Sequence, residues 1–272
     1  MTIILYTTHM IIDGRKIASE IVSRLTEKVK LLSRVPKIVV ISTGEDSLRY
    51  VAMKERVAEK IGVGFERRVL DRVTTDEFVH AIETLNTDTT VTGVVVQLPL
   101  PSTIDTERVL AAIHPLKDPD GLSSRPEVVA PVAAAIAEIL EQSHVDVRGK
   151  NVVVVGYGRL VGKPVAQWMV DHGAHIFVAD ISTEDLASRT RTADVVVSGA
   201  GVAGLIRSEM VHEGVALVDA GTSEAAGKIV GDIDPACAGK ADVFTPVPGG
   251  VGPVAVAKLY ENLIELASRQ ME

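Results

Sequence analysis

Short runs rich in valine and isoleucine alternate with longer stretches of helical periodicity along almost the whole chain, and this alternation restricts the fold more than any other feature. Lys37–Ser42, Phe65–Leu70, Val91–Gln97, Val152–Val155, Ala174–Ala179, Val195–Ser198, Val215–Ala220 and Lys228–Val230 read as strands. Helical patterns lie between them, at about Leu48 to Ile61, Thr75 to Leu85 behind a threonine cap, Ile104 to Ile113, Val128 to Leu140, Val161 to His172 and Glu184 to Arg191. Near the start Ile17, Ile21, Leu25 and Val29 recur on one helix face, and Val254–Arg269 closes the chain as a helix after a Pro/Gly cluster. Strands that alternate with helices imply an α/β fold with parallel sheets and right-handed crossovers. Two such series meet at the polar stretch around residues 141–150, which predicts two α/β lobes.

Composition agrees with that architecture. Hydrophobic residues make up 46% of the 272 and aromatics only 3%, so the core is built from Val, Ile, Leu and Ala, as suits buried parallel strands. The net charge of -8 argues against a nucleic-acid partner, which needs a basic surface. The one cysteine, Cys237, cannot make an intrachain disulfide, and no Cys/His cluster has zinc spacing, so no metal is expected and the compartment reads as reducing. The opening MTIILYTTHMII is apolar but has no basic leader and is interrupted by Thr7, Thr8 and His9. With no apolar run of membrane-spanning length, the expectation is a cytoplasmic protein without a membrane partner.

The first chemical signal is Gly156-Tyr157-Gly158-Arg159-Leu-Val-Gly162, between a four-valine strand and a helical pattern. Gly156 permits a tight turn, Gly158 lets backbone approach a pyrophosphate, and Gly162 lets the helix pack closely on the strand. The helix N-terminus adds amide donors and a positive dipole end. The next strand ends at Asp180, where an acid typically accepts hydrogen bonds from an adenosine ribose. A carboxylate there favours a 2'-hydroxyl over a 2'-phosphate, whereas Arg159 could pair with phosphate. Asp180 could equally cap the helix that follows Ser182.

The second signal is a lysine on an inward face. Tyr50, Lys54, Val57 and Ile61 fall at i, i+4, i+7 and i+11, and Val57 and Ile61 mark that face as packed. From the helix alone, a stem that packs while its ammonium reaches out is sufficient explanation. Beside a cofactor site, a partly desolvated amine can exchange protons near neutral pH. Gln97 lies at the C-terminal end of the strand Val91–Gln97, and Asp118 and Asp120 share the turn Lys117-Asp-Pro-Asp-Gly121.

These segments together resemble the methylenetetrahydrofolate dehydrogenase/cyclohydrolase family along nearly the whole chain. The matching motifs, in order, are Ile12-Asp-Gly14, Tyr50-Val-x-x-Lys54, Gln97-Leu-Pro-Leu-Pro101, Lys117-Asp-x-Asp-Gly121, Gly156 to Pro164, Val230-Gly-Asp232 and Thr245 to Pro253. The resemblance implies two α/β lobes around a cleft. Residues 1–141 with 252–272 would hold the folate, and 142–251 would form a Rossmann-type NAD(P)-binding domain. It implies a homodimer working on a tetrahydrofolate derivative in one-carbon metabolism that feeds purine biosynthesis. The reactions are hydride transfer from 5,10-methylenetetrahydrofolate to NAD or NADP, then hydrolysis of the methenyl cation to 10-formyltetrahydrofolate. It assigns catalysis to Lys54, Gln97 and Asp120, and substrate binding to Ser47, Tyr50, Leu98, Gly252 and Pro253. Cofactor binding falls to Gly156, Tyr157, Gly158, Arg159, Gly162, Asp180, Gly201 and Thr222.

The sequence also departs from the family pattern. Gly156-Tyr157-Gly158 stands where Gly-Arg-Ser is usual, and Asp180 where no acid is usual, and both changes favour NAD. The segment after Gly121 is short, Pro131-Val-Ala-Ala replaces Pro-Cys-Thr-Pro, Gly252-Pro-Val-Ala255 replaces Gly-Pro-Met-Thr, and Gly221-Thr222 replaces Gly-Ile. Two alternatives remain at this point: an NAD-dependent oxidoreductase with a different small substrate, and a non-catalytic regulatory paralogue.

Overall fold

A computed structural model of the chain describes residues 9–44, 48–225 and 227–270, with the backbone alone for 48–50. In chain order the elements are β1 (Met10–Ile11), α1 (Gly14–Lys30), β2 (Lys37–Ser42), α2 (Leu48–Ile61), β3 (Gly64–Val69), α3 (Thr75–Thr87), β4 (Gly93–Val96), α4 (Thr106–Ala111) and α5 (Pro131–Gln142). There follow β5 (Asn151–Val155), α6 (Gly162–Asp171), β6 (His175–Ala179), α7 (Leu186–Arg191), β7 (Val195–Ser198), β8 (Val215–Asp219), β9 (Ser223–Ala225), β10 (Lys228–Val230), β11 (Ala241–Phe244) and α8 (Val251–Arg269). The chain divides into two compact units, one running through Ile17 and from Val132 to Ala255, the other Ala18–Pro131 and from Val256 onward. These junctions differ from 141–142 and 251–252, the boundaries that the sequence suggests.

The unit of residues 18–131 is built on a parallel sheet of order β3-β2-β4. Ile38–Ile41 of the central strand are fully buried, as expected of a valine- and isoleucine-rich run covered on both faces. On α3, Phe78, Ile82 and Leu85 recur at i, i+4 and i+7 and pack against Val39, Ile41, Val94 and Val96. Each such buried side chain contributes roughly 1.5–3 kcal/mol. A capping box starts the helix: Glu77 N–H donates to Thr74 Oγ1 at 3.2 Å and Thr74 N–H to Glu77 Oε2 at 2.7 Å. In α8, Leu259, Tyr260, Leu263 and Leu266 are all fully buried.

The unit that includes residues 132–255 carries a sheet of order β1-β11-β8-β7-β5-β6, parallel throughout. The chain goes from β5 outward to β6, then returns past β5 to β7 and proceeds the other way. That reversal is a topological switch point between β5 and β7, and in open α/β sheets ligands bind outside the carboxyl ends of the strands there. Two features differ from the sequence reading. Lys228–Val230 is a strand, but it pairs antiparallel with β9 outside the main sheet. The opening segment adds β1 to this sheet by pairing with β11, and neither strand is announced by a long apolar run. Cys237 is buried in this core, where burial pushes its thiol up to about 11. Among the described residues no helix is long and apolar enough to cross a membrane.

Candidate active site

Lys54 lies three residues after Val51 and four before Ala58, both buried, so its stem follows the inward face of α2. The packed stripe is Val51, Ala58 and Ile61, while Val57, which the sequence reading placed in it, is only half-buried. The Lys54 ammonium donates to Gln97 Oε1 at 3.1 Å. Gln97 follows β4 directly: its backbone N–H continues the ladder to Ile41 O at 2.8 Å, and its Nε2 donates to Leu98 O at 3.0 Å. With Nε2 committed to the backbone, Oε1 is the atom left to face the lysine. Tyr260 on α8, which the sequence did not single out, donates its hydroxyl to the Lys54 carbonyl at 2.7 Å.

Asp120 is presented to this group by a braced turn. Asp118 Oδ2 accepts the Ser123 N–H at 2.6 Å, and Gly121 adopts φ +66°, a left-handed conformation that glycine tolerates without strain. Asn262 on α8 donates to Pro119 O at 2.9 Å and Val129 O at 2.8 Å, which ties the turn and the segment that returns after it to one helix. A Cβ on Gly121 would lie 3.1 Å from Val128 O and 3.2 Å from Ala130 Cα, so the short segment after Gly121 folds straight back against it. Asp120 itself is half-buried. Burial pushes its carboxyl up, the Lys54 ammonium pulls it back, and the Asp118 charge adds to the push. Ser47 lies outside the described residues, and Tyr50 is described only as a backbone position of α2.

In the other unit Gly156 leaves β5 at φ +87°, and a Cβ there would lie 2.8 Å from Ala200 Cα. A Cβ on Gly162 would lie 1.9 Å from Gly156 O, so the start of α6 sits on the turn itself. Gly158 differs from both: beyond its chain neighbours, nothing lies within 4 Å of its Cβ position. Val161 gives α6 no side-chain cap, Lys163 N–H donates to Gly158 O at 3.0 Å and Pro164 has no N–H, so the amide that the helix start can offer a ligand is that of Gly162. An open glycine edge and an uncapped helix start, both at the switch point, fit a dinucleotide pyrophosphate. Tyr157 is 51% exposed, with Lys163 Nζ 5.8 Å from its ring centroid. Arg159 is half-buried, and Gly201 (φ +69°) and Thr222 lie exposed in the loops after β7 and β8. Gly252 and Pro253 belong to the first turn of α8 in this unit.

Asp180 ends β6 and organises its own turn. Its Oδ1 accepts from Ser182 N–H at 2.9 Å, Ser182 Oγ at 2.6 Å and Thr183 Oγ1 at 3.4 Å. These bonds, those from Ser182 above all, hold its carboxyl below the usual range. It caps no helix, because α7 is capped by Asp185, whose Oδ1 accepts the Ser188 N–H at 3.1 Å.

Two buried acids that the site reading passed over lie behind the loops. Asp219 ends β8 and accepts from Gly221 N–H at 2.9 Å and Ile233 N–H at 2.8 Å, and Asp232 is fully buried nearby. Burial, opposed by the Ile233 N–H and reinforced by the charge of Asp232, pushes Asp219 up to about 6. Between its ordinary 3.8 and about 6 the folded chain therefore binds a proton that the unfolded chain releases, so this group's contribution to stability falls as pH rises through that window. Asp219→Asn is accordingly expected to destabilise the protein more at pH 5 than at pH 7.5, as read by urea midpoints. A cost that is larger at pH 7.5 would contradict the placement of Asp219.

Fold and site define a two-unit α/β enzyme with a Rossmann-type NAD(P)-binding domain. Two family models match the chain: the catalytic domain of tetrahydrofolate dehydrogenase/cyclohydrolase over residues 12–120, and its NAD(P)-binding domain over residues 130–271. They leave out 121–129, the shortened segment. The bifunctional protein FolD of Halothermothrix orenii is 42% identical, covering 94% of this chain and 96% of its own. A crystal structure of the bifunctional enzyme FolD, methylenetetrahydrofolate dehydrogenase/cyclohydrolase, from Campylobacter jejuni superposes with a TM-score of 0.91 at 35% identity, covering 96% of this chain and 99% of the other. The Trypanosoma brucei dehydrogenase-cyclohydrolase, solved with NADP and an inhibitor, gives 0.92 at 36% identity over 97% and 98%. The chain belongs to the tetrahydrofolate dehydrogenase/cyclohydrolase family.

Proposed function

We propose that the chain oxidises 5,10-methylenetetrahydrofolate to the 5,10-methenyl cation and then hydrolyses that cation to 10-formyltetrahydrofolate, with the folate chemistry at Lys54, Gln97 and Asp120. The observation that carries this is the Lys54 nitrogen on Gln97 Oε1, with the half-buried carboxyl of Asp120 within reach of the lysine's charge. Hydrolysis needs a group that takes a proton from the attacking water; Lys54 serves in its neutral form, in which one N–H can still donate to Gln97 Oε1 while the nitrogen lone pair accepts the proton of the water. Gln97 fixes where the nitrogen sits, and Tyr260 fixes the backbone that bears it. Asp120 supplies either a negative charge toward the cationic carbon or an acid proton toward a pterin nitrogen. Tyr50, Leu98, Gly252 and Pro253 belong to substrate binding in this proposal.

The dinucleotide accepts the hydride. Gly156, Gly158 and Gly162, with the Gly162 amide at the start of α6, are its proposed pyrophosphate seat, flanked by Tyr157, Arg159, Gly201 and Thr222. NAD is the favoured form. Tyr157 cannot pair with a phosphate as arginine does, and Asp180 is negative at the end of the strand beside the turn. Asp180→Ser should lower the ratio of kcat/KM with NAD to kcat/KM with NADP about tenfold, as loss of one charged contact does. An unchanged ratio would confine Asp180 to its turn. A homodimer is part of the proposal, supported by edge strand β6, whose Ile176, Phe177 and Val178 are incompletely buried. The hydrolytic half is tested by adding 5,10-methenyltetrahydrofolate without any dinucleotide. The 10-formyl product should still form, and its absence overturns that half.

A further inference from the structure

The motif Val230-Gly-Asp232 has no part in the chemistry described so far, yet its aspartate accepts four hydrogen bonds. Asp232 Oδ2 accepts from Ser198 Oγ at 2.8 Å, Ala200 N–H at 2.7 Å and Gly201 N–H at 3.1 Å, and its Oδ1 accepts from Val202 N–H at 2.8 Å. Three successive amides converging on one anion form a backbone nest, an arrangement that usually waits for a ligand anion. Here the protein's own carboxylate fills it.

The position of that carboxylate is fixed from behind. A Cβ on Gly221 would lie 2.1 Å from Asp232 Cγ, and one on Gly231 would lie 2.1 Å from Asp219 Oδ2, so each glycine leaves room for one acid. Asp219 grips Ile233 N–H, the amide that follows Asp232. Ile206 N–H donates to Asp232 O at 3.0 Å and Asp234 N–H to Ile206 O at 2.8 Å, which joins the two segments again further on.

The loop so held faces the dinucleotide turn. A Cβ on Gly156 would stand 2.8 Å from Ala200 Cα, and one on Gly199 would stand 2.4 Å from Val161 Cγ1, so both positions need glycine. Residues 199–202 thus form the β7 side of the switch point, and the glycine turn forms the β5 side. We infer that Asp232 is a positioning residue of the dinucleotide site, holding the loop Gly199–Val202 in its binding geometry before the dinucleotide arrives. Without that anchor, ordering of the loop is charged against binding, so affinity for the dinucleotide falls while the chemistry of a bound complex is preserved.

The inference rests on the proposed seat of the dinucleotide at Gly156–Gly162, and the experiment separates the two. Dehydrogenase kinetics against NAD and NADP, with cyclohydrolase turnover on the same preparations, are measured for Asp232→Asn, Ser198→Ala and Gly158→Val. Asp232→Asn should raise KM for both dinucleotides about tenfold or more, with kcat and cyclohydrolase turnover within about twofold of the parent. Ser198→Ala, which removes one of the four donors, should raise KM a few-fold in the same direction, and it decides the matter if Asp232→Asn does not fold. Unchanged KM in Asp232→Asn, or in Ser198→Ala where the first variant does not fold, overturns the inference. So does a parallel loss of cyclohydrolase, which would make Asp232 a general structural residue. A Cβ on Gly158 meets nothing within 4 Å beyond its chain neighbours, so a side chain there, as in Gly158→Val, should raise KM only if the dinucleotide lies on the turn. An unchanged KM in that variant removes the seat itself, and the inference with it.

Discussion

Lys54→Met is expected to lower cyclohydrolase turnover by about 100-fold or more, the usual scale for loss of a positioned acid–base group. Methionine keeps most of the stem that packs between Val51 and Ala58 and removes only the nitrogen held by Gln97 Oε1. Stability should therefore change little. Affinity for NAD and NADP, measured by fluorescence titration, should stay near the parent value, because the groups proposed to bind them lie in the other unit. Hydrolysis at the parent rate would remove Lys54 from its proposed role, whatever happened to the dehydrogenase step.

Gly162→Ala is the second large effect. The added carbon would stand 1.9 Å from Gly156 O and 2.8 Å from Tyr157 Cα, both backbone atoms of the turn, so neither can swing aside as a side chain would. Overpacking of this kind costs roughly 1–3 kcal/mol and more where backbone must move. The turn should open, dinucleotide binding should fall sharply, and the urea midpoint should drop. Gly158→Ala provides the contrast, since its Cβ position is empty to 4 Å and stability should stay within about 0.5 kcal/mol of the parent. Equal stability of the two alanine variants would contradict the geometry of the turn.

How far the sequence reached can be traced through particular residues. β2 and α2 fall where periodicity puts them, at Lys37–Ser42 and Leu48–Ile61, because an uninterrupted apolar run and a 3.6-residue period are strong local signals. Lys54 was legible for the same reason: a cation on an inward face contradicts the pattern around it. β1 and β11 were not legible, since two and four residues respectively are too short for a period to show, and only pairing with distant segments, β1 on β11 and β11 on β8, makes them strands. Asp232 was invisible as an anchor because its four donors come from Ser198 to Val202, some thirty residues earlier in the chain. A lone Gly-Asp reads as turn chemistry. Tyr260 was hidden likewise, a tyrosine in an apolar helix whose partner is the carbonyl of Lys54. Local physics gave the elements and the odd residue among them; contacts between distant segments gave the bracing behind the site.

The most direct test of the account incubates the purified chain with 5,10-methylenetetrahydrofolate and either NAD or NADP, following reduced nicotinamide and 10-formyltetrahydrofolate together. The account predicts that both products appear, with faster turnover on NAD than on NADP. No reduction of either dinucleotide, by protein that is folded and binds NAD, would contradict it.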